Sequence, residues 1–188
     1  NVTSIIDDPD KDPHEYEASA QNQLALSKAK VVIENGGGYD DFVDTMLASA
    51  KNTSATVLNA VTISGKKAAA GEELNEHVWY DFPTVEKVID QLQSSYATID
   101  PASADTFANN AKQLKGSIDA LVKKEGDLKA TYNGQPVSIT EPVPLYMLEA
   151  IGLKNKTPDA FSEAIEEDSD VAPAVLRATL KLSTAITR

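Results

Sequence analysis

The chain contains only two histidines, His14 and His77, and imidazole is the side chain that transition metals bind most often in proteins. His14 lies in an acidic segment after a predicted strand, and α/β folds place their ligand sites at the carboxyl ends of strands. His77 lies between apolar neighbours in the segment 75–81. Taken singly, His14 could be a solvated loop residue and His77 a hydrogen-bonded core residue. Neither histidine belongs to a local ligand motif such as H-E-x-x-H.

A third candidate, Glu141, follows a predicted strand over residues 136–140 and directly precedes Pro142. Its carboxylate could serve as a ligand at the carboxyl end of that strand. It could equally stabilise the N-terminus of the helix that follows. One position is compatible with both roles.

Several other kinds of site are excluded by composition and motif. The absence of cysteine rules out thiolate metal sites, disulfides and cysteine nucleophiles. A net charge of −12 argues against nucleic-acid binding, which requires clustered Lys and Arg. The run Gly36–Gly38 lacks the Lys-Ser/Thr pair of a phosphate-binding loop, so a tight strand-to-helix turn is predicted. There is no Gly-x-Ser-x-Gly elbow for a serine nucleophile.

The elements that must position these residues alternate along the first half of the chain. Strand patterns cover residues 2–6, 30–35 and 56–61, with helices between them at 18–29 and after Asp40. This alternation predicts an α/β fold with parallel strand pairing. A polar loop is predicted for residues 62–76.

The second half is predicted to be mainly helical. An apolar stripe over residues 85–96 indicates one helix, and Asp100-Pro101 starts a second that runs for about eight turns. After the strand at 136–140, helices are predicted over 142–151, from 157, and over 170–185. No apolar run approaches the ~20 residues that a membrane-spanning helix needs. Because the chain opens on a strand pattern without a signal peptide, we expect a fragment that is incomplete at both ends.

Three segments together resemble the solute-binding proteins of zinc and manganese ABC importers, also known as metal-binding lipoproteins or adhesins. They are Asp12-Pro13-His14-Glu15-Tyr16-Glu17, Val32-Ile33-Glu34-Asn35-Gly36 and Asn75-Glu76-His77-Val78-Trp79. In addition, Ile99-Asp100-Pro101 with Asn109 or Asn110 resembles the start of the family's long connecting helix. The order and spacing of these matches cover nearly the whole chain.

The resemblance implies a metal site that contains His14, His77 and Glu141. Glu141, after Thr140, matches the position where zinc-type members have histidine and manganese-type members often have glutamate. A fourth ligand, an Asp or Glu, is expected beyond residue 188. The loop at 62–76 lacks the histidines of many zinc-type members, which favours Mn²⁺ narrowly over Zn²⁺.

The fold implied by the resemblance is two Rossmann-like lobes joined by a long rigid helix. Residues 1–82 would form the remainder of the N-terminal lobe, 83–131 a helical segment with the inter-lobe helix, and 132–188 the beginning of the C-terminal lobe. The implied function is capture of Mn²⁺ or Zn²⁺ in an inter-lobe cleft and delivery to an ABC permease. We expect an extracytoplasmic monomer, periplasmic or lipid-anchored, that is not an enzyme and binds no nucleic acid.

Two alternatives remain open at this point. Two histidines and one carboxylate also form the facial triad of non-haem iron oxygenases, although no residues suggest a co-substrate pocket. The chain could also be a surface adhesion module whose metal is structural or incidental.

Overall fold

The computed structural model describes residues 1–8, 10–14, 16–17, 19–68 and 74–186, with side chains to residue 182. The chain forms two compact units, residues 1–78 with 83–115 and residues 79–82 with 116–188. Each unit contains one pair of parallel strands together with helices, which confirms the predicted α/β class. Among the helices of the described residues, none is long and apolar enough to cross a membrane.

In the first unit, strands β1 (Val31–Glu34) and β2 (Thr56–Asn59) pair in parallel, with Glu34 opposite Asn59 at their carboxyl ends. Helix α1 (Ala20–Lys28) precedes β1, α2 (Phe42–Ala50) connects the strands, and α3 (Ala60–Ser64) follows β2. The core of this unit is a cluster of buried apolar side chains from α1, β1 and α2, namely Leu26, Val32, Val43 and Met46. This packing holds the carboxyl end of β1 in a fixed place.

Two strand predictions in this unit are wrong: one strand is absent and the other is shorter than predicted. Residues 2–6 form no strand, and no described strand pairs with them, so their backbone groups lack the neighbour that a ladder requires. Val2 is 90% exposed, while Ile5 packs against the core. The strand predicted to reach residue 61 ends at Asn59, because the Asn59 side chain accepts a hydrogen bond from the Thr62 N–H (2.8 Å) and starts α3 there. The polar loop predicted from residue 62 therefore begins as helix.

The two long helices of the second half are confirmed. Helix α4 spans Phe82–Ile99, and α5 spans Ala104–Tyr132 after a 3₁₀ turn at Pro101–Ser103. The 29 residues of α5 correspond to about 43 Å at 1.5 Å per residue. Residues 104–115 of this helix belong to the first unit and residues 116–132 to the second.

The second unit contains the strands β3 (Pro136–Val137) and β4 (Lys154–Asn155), with helix α6 (Leu145–Ala150) between them and α7 (Asp159–Glu166) and α8 (Pro173–Ile186) after them. The strand predicted over 136–140 is shorter than expected. Beyond Val137, the Thr157 hydroxyl replaces the strand neighbour: it accepts from the Ile139 N–H (2.9 Å) and donates to the Ile139 carbonyl (3.1 Å). Side-chain hydrogen bonding therefore satisfies this backbone without a ladder.

Candidate metal centre

His14 lies in a turn of irregular backbone, since the strand predicted to precede it does not form. One oxygen of the Asp12 carboxylate accepts two hydrogen bonds from this residue. The first comes from the His14 backbone N–H (2.9 Å) and the second from Nδ1 of its ring (2.8 Å). The ring is thereby held by a side chain two residues earlier.

His77 is held in the same way at a different place in the unit. The side-chain oxygen of Asn75 accepts from the His77 backbone N–H (3.0 Å) and from its Nδ1 (2.7 Å). His77 is buried, with 2% of its surface exposed. Two segments more than sixty residues apart therefore share one local arrangement.

These hydrogen bonds determine which ring nitrogen carries the proton. The Asn75 oxygen and the ionised Asp12 carboxylate can only accept, so both Nδ1 atoms must carry the proton. In the neutral ring, the lone pair is then on Nε2. A metal-binding histidine characteristically donates its other ring N–H to a carboxylate or carbonyl oxygen, which orients the ring and fixes the tautomer.

Tyr39 brings the two imidazoles into one neighbourhood. Its ring contacts His14 edge to face, with centroids 5.1 Å apart, and lies 6.1 Å from the His77 ring in a similar orientation. Burial raises the pKa of the Tyr39 hydroxyl, and the negative charges of Asp12, Asp40 and Glu76 raise it further. An excess of negative charge therefore surrounds the two histidines.

Glu76 is a carboxylate of this cluster that sequence reasoning did not identify as a site residue. Its Oε1 lies 3.4 Å from His14 Nε2, and its side chain is 14% exposed. Glu76 and His77 also offer ligand atoms within 4.8 Å of each other. The available signal was its position beside His77, but among 29 acidic residues that signal was too weak to select it.

The carboxyl end of β1 holds the Glu76 backbone in place. The Asn35 amide donates to the Glu76 carbonyl (2.9 Å), and the two oxygens of Asp40 accept from the backbone N–H groups of Asn35 and Gly36 (2.7 Å each). The side chain of Asp40, after which a helix was predicted, ties the end of β1 to the following turn. The site segment around Glu76 is thus anchored to the central strand.

Glu34, the last residue of β1, is a second buried carboxylate near this turn. It is 6% exposed and accepts a hydrogen bond from the Asn59 amide (2.9 Å). Burial raises the pKa of Glu34, the Asn59 hydrogen bond lowers it less, and the aspartates of the turn and of α2 raise it further. This pair links the carboxyl ends of β1 and β2.

The pKa of His14 is raised above its ordinary value of 6.5. Burial alone would lower it, but the hydrogen bonds and negative charges of Asp12 and Glu76 outweigh that effect. Burial likewise acts to raise the pKa of Asp12, and the hydrogen bonds from His14 outweigh it, so that the pKa of Asp12 is lowered. The protonated ring and its carboxylate therefore stabilise each other.

Glu141 belongs to the second unit, where it lies half-buried in the bend between β3 and α6. The structure thus brings His14 and His77 together around Tyr39 within one unit. The part of Glu141 in a metal site stays a prediction.

Comparison with known proteins supports the family resemblance. The profile of the family described as "ZnuA: Zinc-uptake complex component A periplasmic" matches residues 1–185. The manganese-binding lipoprotein MntA of Bacillus subtilis is 29% identical over 125 residues, which covers 65% of this chain and 40% of that protein. The chain therefore spans less than half the length of that relative.

Solved structures show the same fold. A crystal structure of ZnuA superposes with a TM-score of 0.74 at 16% identity, covering 94% of this chain and 66% of the other. The solute-binding protein FpvC of Pseudomonas aeruginosa, in complex with Mn²⁺, gives a TM-score of 0.71 at 22% identity, with coverages of 94% and 65%. Because the family profile matches almost every residue, this chain belongs to the family of zinc-uptake complex component A periplasmic proteins.

Proposed function

We propose that this chain is the metal-capturing part of an extracytoplasmic solute-binding protein, which binds Mn²⁺ or Zn²⁺ and delivers it to an ABC permease. The observation that carries the proposal is the pair of imidazoles around Tyr39, each with Nδ1 tied to an oxygen two residues earlier. Such tied rings present Nε2 in the orientation that a metal ion needs. A solvated loop histidine would have no need of this arrangement.

The relatives support both the cargo and the location. The family description names zinc uptake and the periplasm, and the Bacillus subtilis relative is named a manganese-binding lipoprotein. These are binding proteins and not enzymes, so the oxygenase alternative loses its support. Imidazole nitrogen and carboxylate oxygen together suit both metals, with carboxylate favouring the harder Mn²⁺.

Glu141 is our candidate for a ligand from the second unit, in an inter-lobe cleft of the kind that the family resemblance implies. Its half-buried carboxylate follows β3, close to the carboxyl end of a strand.

The first test is metal binding by the purified 188-residue chain and by His14→Ala and His77→Ala, measured by isothermal titration calorimetry with Zn²⁺ and Mn²⁺. Changes to residues behind metal ligands typically weaken binding about 10- to 100-fold, so loss of a ligand itself should cost more than about 100-fold. Binding by the unmodified chain should be stoichiometric, with one ion per chain.

A surface change on α4, Gln91→Ala, provides the control and should bind as the unmodified chain does, because Gln91 is exposed and distant in sequence from both histidines. Circular dichroism would verify that each variant remains folded. If both histidine variants retained the affinity of the unmodified chain, the proposed site would be rejected.

A further inference from the structure

We propose that Glu76 is itself a metal ligand, so that the first unit supplies three donor atoms, from His14, Glu76 and His77. This inference rests on the proposed function and deepens it, because it adds a carboxylate that the family resemblance did not assign. It also explains why a carboxylate with little exposure lies against two imidazoles.

The separation between two of the three donor atoms, those of His14 and Glu76, fits a shared metal ion. Zinc binds nitrogen and oxygen at about 2.0–2.2 Å with tetrahedral geometry, which places two ligand atoms about 3.4 Å apart. The distance between His14 Nε2 and Glu76 Oε1 is 3.4 Å. A metal ion could therefore bridge these atoms with little movement of either side chain.

A direct ion pair accounts for this distance less well. Hydrogen bonds between a charged nitrogen donor and a carboxylate are typically about 2.7–2.9 Å long. The contact of His14 with Asp12 has that length, at 2.8 Å, whereas its contact with Glu76 is longer by 0.6 Å. Of its two carboxylate neighbours, His14 thus has Asp12 in a short hydrogen bond and Glu76 in a long one, whose length also fits two ligands of one ion.

The surroundings of Glu76 suit a ligand. Its carbonyl is held by the Asn35 amide, so the backbone that carries the carboxylate is anchored independently of any metal. A ligand whose backbone is already held in place loses less conformational freedom when the ion binds. The carboxylate of Glu76 would neutralise one of the two positive charges of a divalent ion. The two neutral imidazoles would add no charge.

The change Glu76→Gln tests this assignment, because glutamine keeps the shape of the side chain but provides a neutral and weaker donor. We expect its Zn²⁺ dissociation constant to rise at least about tenfold relative to the unmodified chain. Glu149→Gln, which removes one negative charge from an exposed position on α6, is the matched control and should bind as the unmodified chain does.

A second measurement does not depend on how the variant folds. In zinc-loaded crystals of the unmodified chain, the anomalous signal locates the ion, and a Glu76 carboxylate oxygen should lie about 2.0–2.2 Å from it. A zinc ion held by both histidines, with Glu76 beyond bonding distance, would overturn the inference and leave the proposed function standing. A Zn²⁺ affinity of Glu76→Gln within about twofold of that of the unmodified chain would have the same consequence. Failure of the unmodified chain to bind either metal would remove both.

Discussion

At the scale of single residues, the two imidazoles of the site differ in the charge of the group that holds them. Asp12 carries a negative charge and Asn75 carries none, although both accept from Nδ1 at nearly the same distance. An anionic partner favours the protonated ring, which is one reason why the pKa of His14 lies above 6.5. Protons and metal ions therefore compete for His14 up to a higher pH than for an ordinary histidine.

We expect metal affinity to fall on acidification, because the ion must displace the proton from His14, whose pKa is raised. The midpoint is the pH at which half of the chains bind Zn²⁺ at a fixed concentration of the ion. Asp12→Asn gives His14 the same kind of partner that His77 has, so the pKa of His14 should fall and the midpoint should move to lower pH. Calorimetric titrations of Zn²⁺ between pH 5 and 8, the range over which histidine changes its charge, would measure both midpoints.

The control for this experiment is again Glu149→Gln, whose midpoint should equal that of the unmodified chain. An unchanged midpoint in Asp12→Asn would contradict the role given to the Asp12 charge.

In the metal-free chain, acidification has the opposite effect: protonation of His14 stabilises the folded state. The stabilisation from protonated His14 is complete below the unfolded pKa near 6.5 and is lost as pH rises through the raised folded pKa.

At the scale of elements, the site depends on the turn between β1 and α2. This turn contains Gly36, whose backbone φ of +75° is one that residues with a Cβ rarely adopt. A Cβ at this position would clash with the side-chain amide of Asn59. The turn can therefore pass closely over the Glu34–Asn59 pair only because residue 36 is glycine.

We expect Gly36→Ala to lower the free energy of unfolding by at least 1–3 kcal/mol, roughly the backbone strain of such a conformation, with the Asn59 clash adding to it. Urea denaturation followed by circular dichroism would measure the change. Metal affinity should fall as well, because Asp40 holds the backbones of Gly36 and Asn35 together, and the Asn35 amide anchors the Glu76 segment.

Gly116→Ala is the matched substitution, since this glycine lies within α5 and a Cβ there would meet nothing within 4 Å. It should raise the free energy of unfolding by about 0.5–1 kcal/mol, the usual difference between alanine and glycine in a helix. Equal effects of the two substitutions would show that the turn after β1 does not require glycine.

At the scale of the whole molecule, the chain covers 40% of its Bacillus subtilis relative. Transport by the whole protein accordingly remains our proposal. The second unit enters that proposal through Glu141, which would add a fourth donor atom to the three from the first unit.

We expect Glu141→Gln to weaken Mn²⁺ binding by at least about tenfold and to weaken Zn²⁺ binding less, because carboxylate oxygen matters more to the harder ion. Calorimetry with both ions would give the two ratios, with Glu149→Gln as the control in the same unit. If Glu141→Gln bound both ions as the unmodified chain does, Glu141 would not be a ligand. Its role would then be to stabilise the N-terminus of the helix that follows it.

The sequence by itself determined the elements whose formation depends on nearby residues. The apolar stripe of α4, the Asp100-Pro101 start of the long helix and the positive-φ glycine turn after β1 all follow from local backbone and side-chain preferences. The motifs around His14 and His77 also identified the family, which the profile match confirmed. These features need no knowledge of distant contacts.

Tertiary structure decided where strands form and which acid joins the histidines. Residues 2–6 have a strand pattern, but no strand of the described residues pairs with them. Beyond the end of β3, the backbone of Ile139 is bonded by Thr157, 18 residues further along the chain. Glu76 approaches His14 across 62 residues, and nothing in the local pattern separates it from the other acids. The physical reason is that strand pairing and ligand convergence are contacts between distant segments, whose meeting depends on how the core packs.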